Sequence, residues 1–443
     1  MAGRVLGLLV VLAGTHALFP EVIFVEPDGV KLRVKDEPSL LGVKFEVHPS
    51  GQLPKVQLVS YTVSGVWEFY DPELKVKSGD IIRYKLTRVY ENDVVETEWM
   101  SHELDPGRHI RSMKRLGRTL FKDDFNSFNK AQYTIDCTAW GGGNGEFQVY
   151  VPEDANVYTR DGVFYLRPTL TVDHKDWDEN RLAHGNMNLR QSYGYCTMAE
   201  NWGCDRTAVN GHILNPIMSG KVTTHAALKY GQVNVRAKIP KGDWIWPAIW
   251  LLPRDWHYGG WPQSGEIDIM ESRGNTKAMI NGDDQGVGEV ASTLHWGPSP
   301  SQNRFSMTHG AKDHGGGGDW HGDFHTYTLD WTENYIKTSV DGQQIMYIAT
   351  PGNGFWGWGG FQGNNIWASG GKNAPFDQPF QLILNVAVGG QFFPSSFQYD
   401  RARPWADNDW TFNDFWNRRN EWLPTWHQEN VAMAIDYVEM IEL

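Results

Sequence analysis

The most informative segment of this sequence is Gly265-Glu-Ile-Asp-Ile-Met-Glu271 (GEIDIME). Glu266 and Asp268 are two residues apart, so they share one face of a strand, because successive side chains alternate between faces. Glu271 is five residues from Glu266, an odd spacing that points it to the opposite face. One extra residue in the strand, a β-bulge, would return Glu271 to the first face. The sequence therefore predicts a bulged strand with three carboxyl groups in a row.

The residues between these acids are apolar, which favours a strand inside a sheet over a solvated acidic edge strand. With a bulge, Ile267 and one or both of Ile269 and Met270 pack into the core. Neighbouring like charges repel and push at least one pKa upward. Carboxyl groups perturbed in this way are typical of catalytic sites. Two carboxyl groups at close range are also what glycoside hydrolysis requires.

The sequence around this segment is rich in short alternating runs. Apolar and polar residues alternate over 233–239, 326–331 and 382–388, and another strand is predicted over 432–442. Asp341-Gly342 lies between two such runs, which predicts a hairpin. Long amphipathic helical patterns are absent. We therefore expect an all-β protein in which residues 123–443 form one large two-sheet sandwich of the jelly-roll type.

The first part of the chain has a different character. Short alternating runs over residues 18–105 predict a small antiparallel β-sandwich of immunoglobulin-like type. Residues 106–122 contain several basic side chains and no acidic one, and we interpret them as a linker. Within it, Lys114-Arg115 is either a proteolytic processing site or part of a solvated basic loop.

Residues 1–17 resemble an export signal, with Arg4 before an apolar run too short to span a bilayer and a cleavage point after Ala17. The alternative is a buried N-terminal helix or strand. We expect a secreted protein that is not attached to the membrane once the signal is removed. In an oxidising compartment Cys196 and Cys204 could close a short loop, which leaves Cys137 over.

Charge and aromatic content indicate the kind of ligand. The chain has 40 Lys and Arg against 53 Asp and Glu, which argues against a nucleic-acid partner. Residues 18–122 carry 16 basic and 16 acidic side chains, so the acidic surplus lies in residues 123–443. Nineteen of the 21 tryptophans also follow residue 118. Acids and indole rings together suit a site for neutral sugar.

The carboxylate segment resembles the E-x-D-x-x-E signature of glycoside hydrolase family 16, in its laminarinase-like branch. Further stretches follow in the order that this branch shows: Asn144-Gly145-Glu146, Trp246–Pro253, Glu271–Asn275, His295-Trp296-Gly297 and Phe380–Gly390. The resemblance covers roughly residues 121–443 and implies a β-jelly-roll with a cleft on its concave face. It further implies Glu266 as the nucleophile, Glu271 as the acid/base and Asp268 as the helper between them.

The same resemblance suggests the residues that bind substrate. These candidates are Asn144, Trp246, Trp250, Trp261, Arg273 and His295. Each of the three tryptophans is either a sugar platform or simply core, and His295 is either structural or a cleft residue touching Glu271. The chain departs from the family at Ser219-Gly220-Lys221, where many members have Arg in place of the Lys. Arg and Lys differ in the contacts they make, so this change bears on substrate affinity.

Two functions remain open at this stage. The first is a secreted, monomeric, retaining endo-β-1,3-glucanase that needs no metal or organic cofactor. The second is a non-catalytic β-1,3-glucan recognition protein of innate immunity, since Trp67, Ser78-Gly79-Asp80 and Tyr84 in the first part resemble the glucan-binding module of such proteins. A pure binder has no need of both catalytic carboxyls, so their presence favours catalysis. A merely structural β-sandwich is the third and least favoured interpretation.

Overall fold

The computed structural model describes residues 22–26, 29–35, 40–49, 55–59, 66–71, 81–90, 94–96, 100–103, 118–407 and 411–442. The chain divides into two compact units, Met1–Leu116 and Gly117–Leu443. The predicted signal over 1–17 lies outside the described residues. So do residues 106–117 of the predicted linker, with Lys114-Arg115 among them.

The first unit is a small β-sandwich. Its described strands are β1 (Val22–Glu26), β2 (Gly29–Lys35), β3 (Leu40–Pro49), β4 (Lys55–Val59), β5 (Val66–Asp71), β6 (Ile81–Tyr90), β7 (Val94–Glu96) and β8 (Met100–Glu103). One sheet has the order β1-β2-β5, and the other has β4-β3-β6-β7 with β8 beside β6. Val43, Phe45 and Val47 alternate inward from β3 and pack in one cluster with Trp67 and Phe69 from β5. The predicted alternation and sandwich are confirmed.

The second unit is built almost entirely of strands. They are β9 (Arg118–Asp123), β10 (Tyr133–Ile135), β11 (Gln148–Tyr150), β12 (Val157–Arg160), β13 (Val163–Leu166), β14 (Thr169–Leu170), β15 (Asn186–Asn188), β16 (Asp205–Thr207), β17 (Ile217–Ser219), β18 (Lys221–Leu228), β19 (Gly231–Lys238), β20 (Ile245–Pro253), β21 (Glu266–Glu271), β22 (Ala278–Ile280), β23 (Asp283–Asp284), β24 (Glu289–His295), β25 (His309–Asp313), β26 (His325–Trp331), β27 (Tyr335–Val340), β28 (Gln343–Ala349), β29 (Phe380–Val388), β30 (Gln398–Tyr399) and β31 (Met433–Glu442).

The helices of this unit are short. The α-helices are α1 (Glu179–His184), α2 (Leu189–Tyr193), α3 (Gly354–Trp358), α4 (Asn413–Asn417) and α5 (Arg419–Trp422). Short 3-10 turns cover Lys130–Gln132, Thr171–Asp173, Glu200–Trp202, Pro300–Gln302, Phe305–Met307, Gly390–Phe392, Leu423–Thr425 and Gln428–Val431. Within the residues described, none of these helices has the length and hydrophobicity needed to cross a bilayer.

Two large antiparallel sheets form the body of the second unit. One has the described order β10-β18-β29-β20-β21-β24-β25, and the other has β12-β13-β31-β19-β26-β27-β28 with β9 beside β31. Their inward side chains share one hydrophobic core, which includes Ile249, Ile267 and Leu384 from the first sheet and Val235 and Val438 from the second. The expectation of an all-β, jelly-roll-type sandwich is confirmed.

The predicted hairpin is present. Residues Asp341 and Gly342 join β27 to β28, and both have positive φ, 48° and 76°. Two consecutive residues with positive φ make the tight turn whose twist matches that of the flanking strands, which explains the Asp-Gly pair.

One predicted boundary is wrong. The linker was expected to end at residue 122, but β9 pairs with β31 and belongs to the large sandwich. Phe121 is buried in the main core, and Arg118 forms an ion pair of 3.0 Å with Glu442. The exposed basic residues of β9 conceal the strand in the sequence, so the second unit starts near Gly117 rather than at residue 123.

The disulfide prediction is confirmed, because Cys196 is bonded to Cys204. Cys137 is the free cysteine among the described residues and is buried. Burial raises the pKa of its thiol to about 12, so it stays protonated. We expect it to be chemically inert in the folded protein.

Candidate active site

The predicted bulge is present on β21. Against β20, Met270 pairs with Ile249 and Asp268 pairs with Trp250, so Ile269 is the extra residue. Against β24 the register shifts between Asp268 and Glu271 in the same way. The bulge places Glu266, Asp268 and Glu271 on one face of the seven-stranded sheet, which we call the carboxylate face.

The opposite side of the strand is core. Ile267, Ile269 and Met270 are fully buried in the core, so Ile269 and Met270 both point inward, as one of the sequence alternatives predicts. This arrangement uses the bulge to bury two consecutive apolar residues, which leaves the flanking acids on the outer face. The strand cannot slip by one residue without driving a carboxyl group into the core.

Glu266 contacts an N–H donor on one side and the carboxyl group of Asp268 on the other. Trp261 Nε1 donates to its Oε2 at 2.8 Å, and Asp268 forms a side-chain hydrogen bond with it. Burial first, and then the charge of Asp268, raises the pKa of Glu266 well above its usual range. The hydrogen bond with Asp268 acts in the same direction, because it raises the pKa of Glu266 and lowers that of Asp268.

Asp268 is the most deeply buried member of the row, at 2% exposed. Burial and the nearby charge of Glu271 raise its pKa well above the usual range. Among the described residues its Oδ2 has no aligned hydrogen bond, although His295 Nε2 lies 3.3 Å away. Three buried carboxylates repel one another, so the row costs least when at least one of its members is protonated.

Glu271 lies at the other end of the row. Its Oε1 accepts a hydrogen bond of 3.0 Å from Trp246 Nε1. Burial is the main influence and raises its pKa, while His295, the Trp246 hydrogen bond and Arg273 act against it. Within the described part of the chain Oε2 accepts no hydrogen bond, so it is the oxygen available to a ligand. A carboxyl group of this kind holds its proton at higher pH than an exposed glutamate does.

The orientation of His295 is set by Asn303. Asn303 Oδ1 accepts from the backbone N–H groups of Trp296 and Phe305, both at 3.2 Å. Its amide nitrogen is therefore the atom that lies 2.8 Å from His295 Nδ1 and donates to it. In the neutral imidazole the proton is then on Nε2, which faces Asp268 at 3.3 Å. His295 Nε2 thus faces the carboxylate row, although its 3.3 Å approach to Asp268 is not an aligned hydrogen bond.

His295 lies on the carboxylate face, as one of the two interpretations predicted, but its partners differ from those expected. Its nearest carboxyl oxygens belong to Asp268 and to Glu266, the latter at 4.0 Å, rather than to Glu271. The physical reason is the register, because His295 pairs directly with Glu266 across β21 and β24. The ring of Phe305 stacks on His295 with centroids 5.5 Å apart.

The donor atoms of Glu266, Asp268 and His295 lie within 4.8 Å of one another, a spacing that could hold a metal ion. The chemistry of the set does not favour one. Asn303 donates to Nδ1, so the proton of neutral His295 is on Nε2, and the lone pair that a metal would need there is occupied. We therefore derive no step through a metal, and the expectation that none is needed stays a prediction.

Trp246 links the acid to an aromatic wall. Its ring stacks on Phe392 with centroids 4.2 Å apart and planes 5° from parallel. The guanidinium of Arg273 lies 4.1 Å from the centre of the Phe392 ring and 4.7 Å from that of Phe397. Arg273 also donates from Nε to the carbonyl of Phe392 at 3.0 Å. These contacts place Trp246 and Arg273 beside Glu271, where the sequence predicted substrate-binding residues.

Trp250 belongs to a polar chain across the sheet. Its Nε1 donates to Asn385 Oδ1 at 2.6 Å, and Asn385 donates in turn to the hydroxyl of Tyr150 at 3.0 Å. Lys221, the residue that departs from the family pattern, has its ammonium 5.2 Å from the centre of the Trp250 ring and 3.1 Å from Asp136. Trp250 is half-buried and does not belong to the hydrophobic core, and the ammonium of Lys221 contacts its ring.

Asn144 lies in a glycine-rich turn beside this chain. Its side chain is within 3.5 Å of Glu146, and its carbonyl accepts from the backbone of Gln391 at 2.8 Å. Glu146 is buried and also accepts from Gln148 at 2.6 Å. Burial raises the pKa of Glu146, and its charge in turn acts on Glu271. A side chain at Gly142 would collide with the carboxyl group of Glu146, which accounts for the glycine at that position.

The sequence interpretation missed several residues of this face. They are Tyr150, Asn303, Phe305, Asn385 and Phe392. Asn303 and Phe305 follow His295 closely in the chain, but their approach to it depends on a 3-10 turn that hydrophobic patterning does not reveal. Phe392 comes from a loop more than 140 residues from Trp246, and no local pattern could have paired them.

Comparison with known proteins agrees with this geometry. The family described as "Glycosyl hydrolases family 16" matches residues 179–353, which contain the whole carboxylate strand. A beta-1,3-glucan-binding protein from Penaeus monodon is 42% identical and aligns over 72% of this chain and 89% of its own length. A glucan endo-1,3-beta-glucosidase from Cryptopygus antarcticus is 30% identical over 66% of this chain and 92% of its own length.

Glucan endo-1,3-beta-glucosidase A1 from Niallia circulans is 32% identical over 66% of this chain, which spans only 36% of that longer protein. These relatives include both a protein named for binding and proteins named for hydrolysis. Because the match to the first relative extends over nearly all of that protein, and the matched region holds the bulged strand and its acids, this chain belongs to glycosyl hydrolase family 16.

Proposed function

We propose that this protein is a retaining endo-β-1,3-glucanase that hydrolyses laminarin-type β-glucans. The observation that carries the proposal is the bulged row Glu266-Asp268-Glu271, in which two glutamates on one face are each hydrogen-bonded by a tryptophan N–H. Relatives named as endo-1,3-glucosidases support the substrate class.

In the first step Glu266 attacks the anomeric carbon of the sugar. For this step the proton that Glu266 and Asp268 share must lie on Asp268, which leaves Glu266 ionised. Glu271, whose pKa is raised by burial, donates its proton to the leaving glycosidic oxygen. The C–O bond to the leaving chain breaks as the bond to Glu266 forms, which gives a covalent glycosyl-enzyme.

In the second step Glu271, now ionised, takes a proton from a water molecule. The water oxygen attacks the same carbon and releases Glu266 as a carboxylate. The returning negative charge on Glu266 meets two donors, namely Trp261 Nε1 at 2.8 Å and the proton that Asp268 must hold for the first step. Because these donors need no reorganisation, the step is favoured electrostatically. Two inversions at the anomeric carbon leave the β-configuration unchanged.

The proposed substrate-binding residues lie on or beside the carboxylate face. Trp246, Trp250 and Trp261 present indole rings beside the acids, and aromatic rings bind the apolar faces of sugars. Arg273, Asn144 and His295 supply polar groups at its border. A neutral polymer suits this surface, since its charged groups are mostly engaged with one another.

The decisive experiment compares reducing-sugar release from laminarin by the wild-type protein and by Glu266→Gln. The amide keeps the shape of the side chain but does not attack carbon, so we expect release to fall to background. Glu439→Gln on β31 of the other sheet makes the same chemical change away from the carboxylate face and should retain full activity. Equal activity of the wild type and Glu266→Gln would refute the assignment of the nucleophile.

A second candidate function is supported by one observation, the 42% identity to a protein named for β-1,3-glucan binding. In that case the second unit holds the polymer without cleaving it, as a recognition protein of innate immunity would. The same assay separates the two proposals. Laminarin binding without any release by the wild type would support recognition and reject hydrolysis.

We further propose a role for the rest of the chain. Residues 18–105 act as a glucan-binding module, residues 1–17 direct export, and the mature protein is secreted and monomeric. Trp67 and Tyr84, on which the resemblance to such a module rests, are buried in the first unit, so their role there is to build the sandwich. Pull-down of the first unit with insoluble β-1,3-glucan would test the binding role.

A further inference from the structure

The loop between Cys196 and Cys204 presents an exposed tryptophan. Trp202 is 75% exposed, which is the highest value for a large hydrophobic side chain among the described residues. The disulfide closes the loop, and Asn201 and Trp202 both have positive φ, 49° and 57°. Such backbone is unfavourable for non-glycine residues and persists only where the surroundings impose it.

The loop is docked firmly on the segment that follows β10. Thr197 N donates to the carbonyl of Cys137 at 3.0 Å, and Ala139 N donates to the carbonyl of Gly203 at 2.7 Å. The hydroxyl of Thr138 donates to the carbonyl of Met198 at 2.7 Å. These hydrogen bonds and the disulfide make the loop rigid. The Trp202 ring nevertheless makes no contact with another ring within the described part of the chain. Packing of the loop therefore does not explain why a tryptophan is present at this position.

The position of this loop follows from the order of the sheet. The carboxylate row is on β21, and the strands β20, β29, β18 and β10 follow in that order to the edge. At about 4.8 Å for each strand step, the edge lies roughly 19 Å from the row, a distance of several sugar units. The Trp202 loop is attached directly after that edge strand.

A continuous line of contacts joins the row to this edge. Trp250 on β20 contacts Asn385 on β29 and lies under the ammonium of Lys221 on β18. Lys221 then reaches Asp136, which directly follows β10 and is followed by Cys137. All these side chains lie on the carboxylate face, so a polymer that crosses the strands from the catalytic carboxyls runs towards the Trp202 loop.

From this arrangement we propose that Trp202 forms a distal sugar-binding subsite that takes a β-glucan chain leaving the carboxylate face at its β10 edge. This inference rests on the proposed function. A flat, exposed and rigid indole ring stacks on the apolar face of a pyranose without loss of side-chain freedom. Only chains long enough to span the four strands reach it, so the subsite selects polymers over short oligosaccharides.

Oxidation by N-bromosuccinimide tests this proposal locally, with the full-length Glu266→Gln variant so that the sugar is not consumed. Oxidised tryptophans are located by peptide mass spectrometry, and Trp261, which is 39% exposed beside Glu266, reports on the central site. We expect laminaritriose to protect Trp261 alone. Laminarin should protect both Trp261 and Trp202, and dextran should protect neither.

The outcomes separate this inference from the proposed function. Protection of Trp261 but not of Trp202 by laminarin overturns the subsite and leaves the function standing. If laminarin protects neither residue, both proposals fail. Equal protection of Trp202 by dextran would show that the ring does not select β-glucan and would also overturn the subsite.

A kinetic comparison adds a second readout in the wild-type background. For Trp202→Ala we expect KM for laminarin to rise by about threefold to tenfold, the size of one aromatic contact, with KM for laminaritriose unchanged. Trp202→Phe keeps a flat ring and should recover most of the affinity. A Trp202→Ala variant with unchanged KM on laminarin would contradict the proposal.

Discussion

Replacing Trp246 by Phe removes the N–H group that Glu271 accepts while it keeps an aromatic ring at the position. The hydrogen bond is 3.0 Å long and favours the ionised form of Glu271, so it holds the pKa of that carboxyl down against burial. Without it the pKa of Glu271 rises. The acid/base keeps its proton to higher pH, and the alkaline limb of the kcat/KM profile moves upward.

The magnitude follows from the difference between two hydrogen bonds. A bond to a charged acceptor is worth about 1.5–3 kcal/mol, and the same bond to the neutral acid is worth about 0.5–1.5 kcal/mol. The difference is about 1 kcal/mol, and one pKa unit corresponds to about 1.36 kcal/mol. We therefore expect the alkaline limb to move up by roughly 0.7 pH unit.

The assay is the initial rate of laminarin hydrolysis at low substrate concentration over a range of pH. Trp250→Phe is the matched control, because its N–H donates to the amide of Asn385 rather than to a carboxyl group. That variant should lose some affinity but keep the alkaline limb in place. A limb that moves down, or that moves equally in both variants, would refute the role of the Trp246 hydrogen bond.

Three further outcomes are expected. Proton NMR of the first product should show the β-anomer, because Glu266 attacks carbon, and an initial α-anomer would mean that water attacks directly. A chain beginning at Gly117 should hydrolyse soluble laminarin normally and insoluble glucan poorly, through loss of a tethered module; an unfolded product would show that the first unit is part of the catalytic fold. Asn303→Ala should release the His295 tautomer and lower kcat by up to about tenfold, because a hydrogen bond between neutral groups is worth about 0.5–1.5 kcal/mol. Nitrogen NMR that still finds the proton on Nε2 alone would contradict this.

Much of the site was accessible from the sequence because its acids lie on one short strand. The odd spacing between Glu266 and Glu271 required a bulge, and the structure has it at Ile269. Side-chain alternation and the inward packing of Ile267 and Met270 follow from the same local rule. A single sequence is sufficient to predict structural features that depend only on the two-residue alternation of side chains along a strand.

Contacts between distant segments were not accessible. His295 was left open between a structural role and a contact with Glu271, but strand register places it opposite Glu266, and register is a property of two strands. Residues 118–122 of the strand Arg118–Asp123 were assigned to the linker, because the surface charge of this strand outweighs the single buried Phe121. Trp246 and Phe392 meet only after the whole sandwich has formed.

The row of three carboxyl groups also bears on how such a protein changes over generations. Each of the three has a pKa raised above its unfolded value, so ionisation of the row weakens the fold as pH rises through the unfolded pKa values. An amide in place of one acid removes that penalty and keeps the shape of the strand. We expect a single exchange of this kind to abolish the proposed hydrolysis and to make the sandwich more stable. For a protein with the proposed activity, the change from a hydrolase to a sugar-binding protein would therefore stabilise the fold, and selection for turnover would be needed to keep the acids in place.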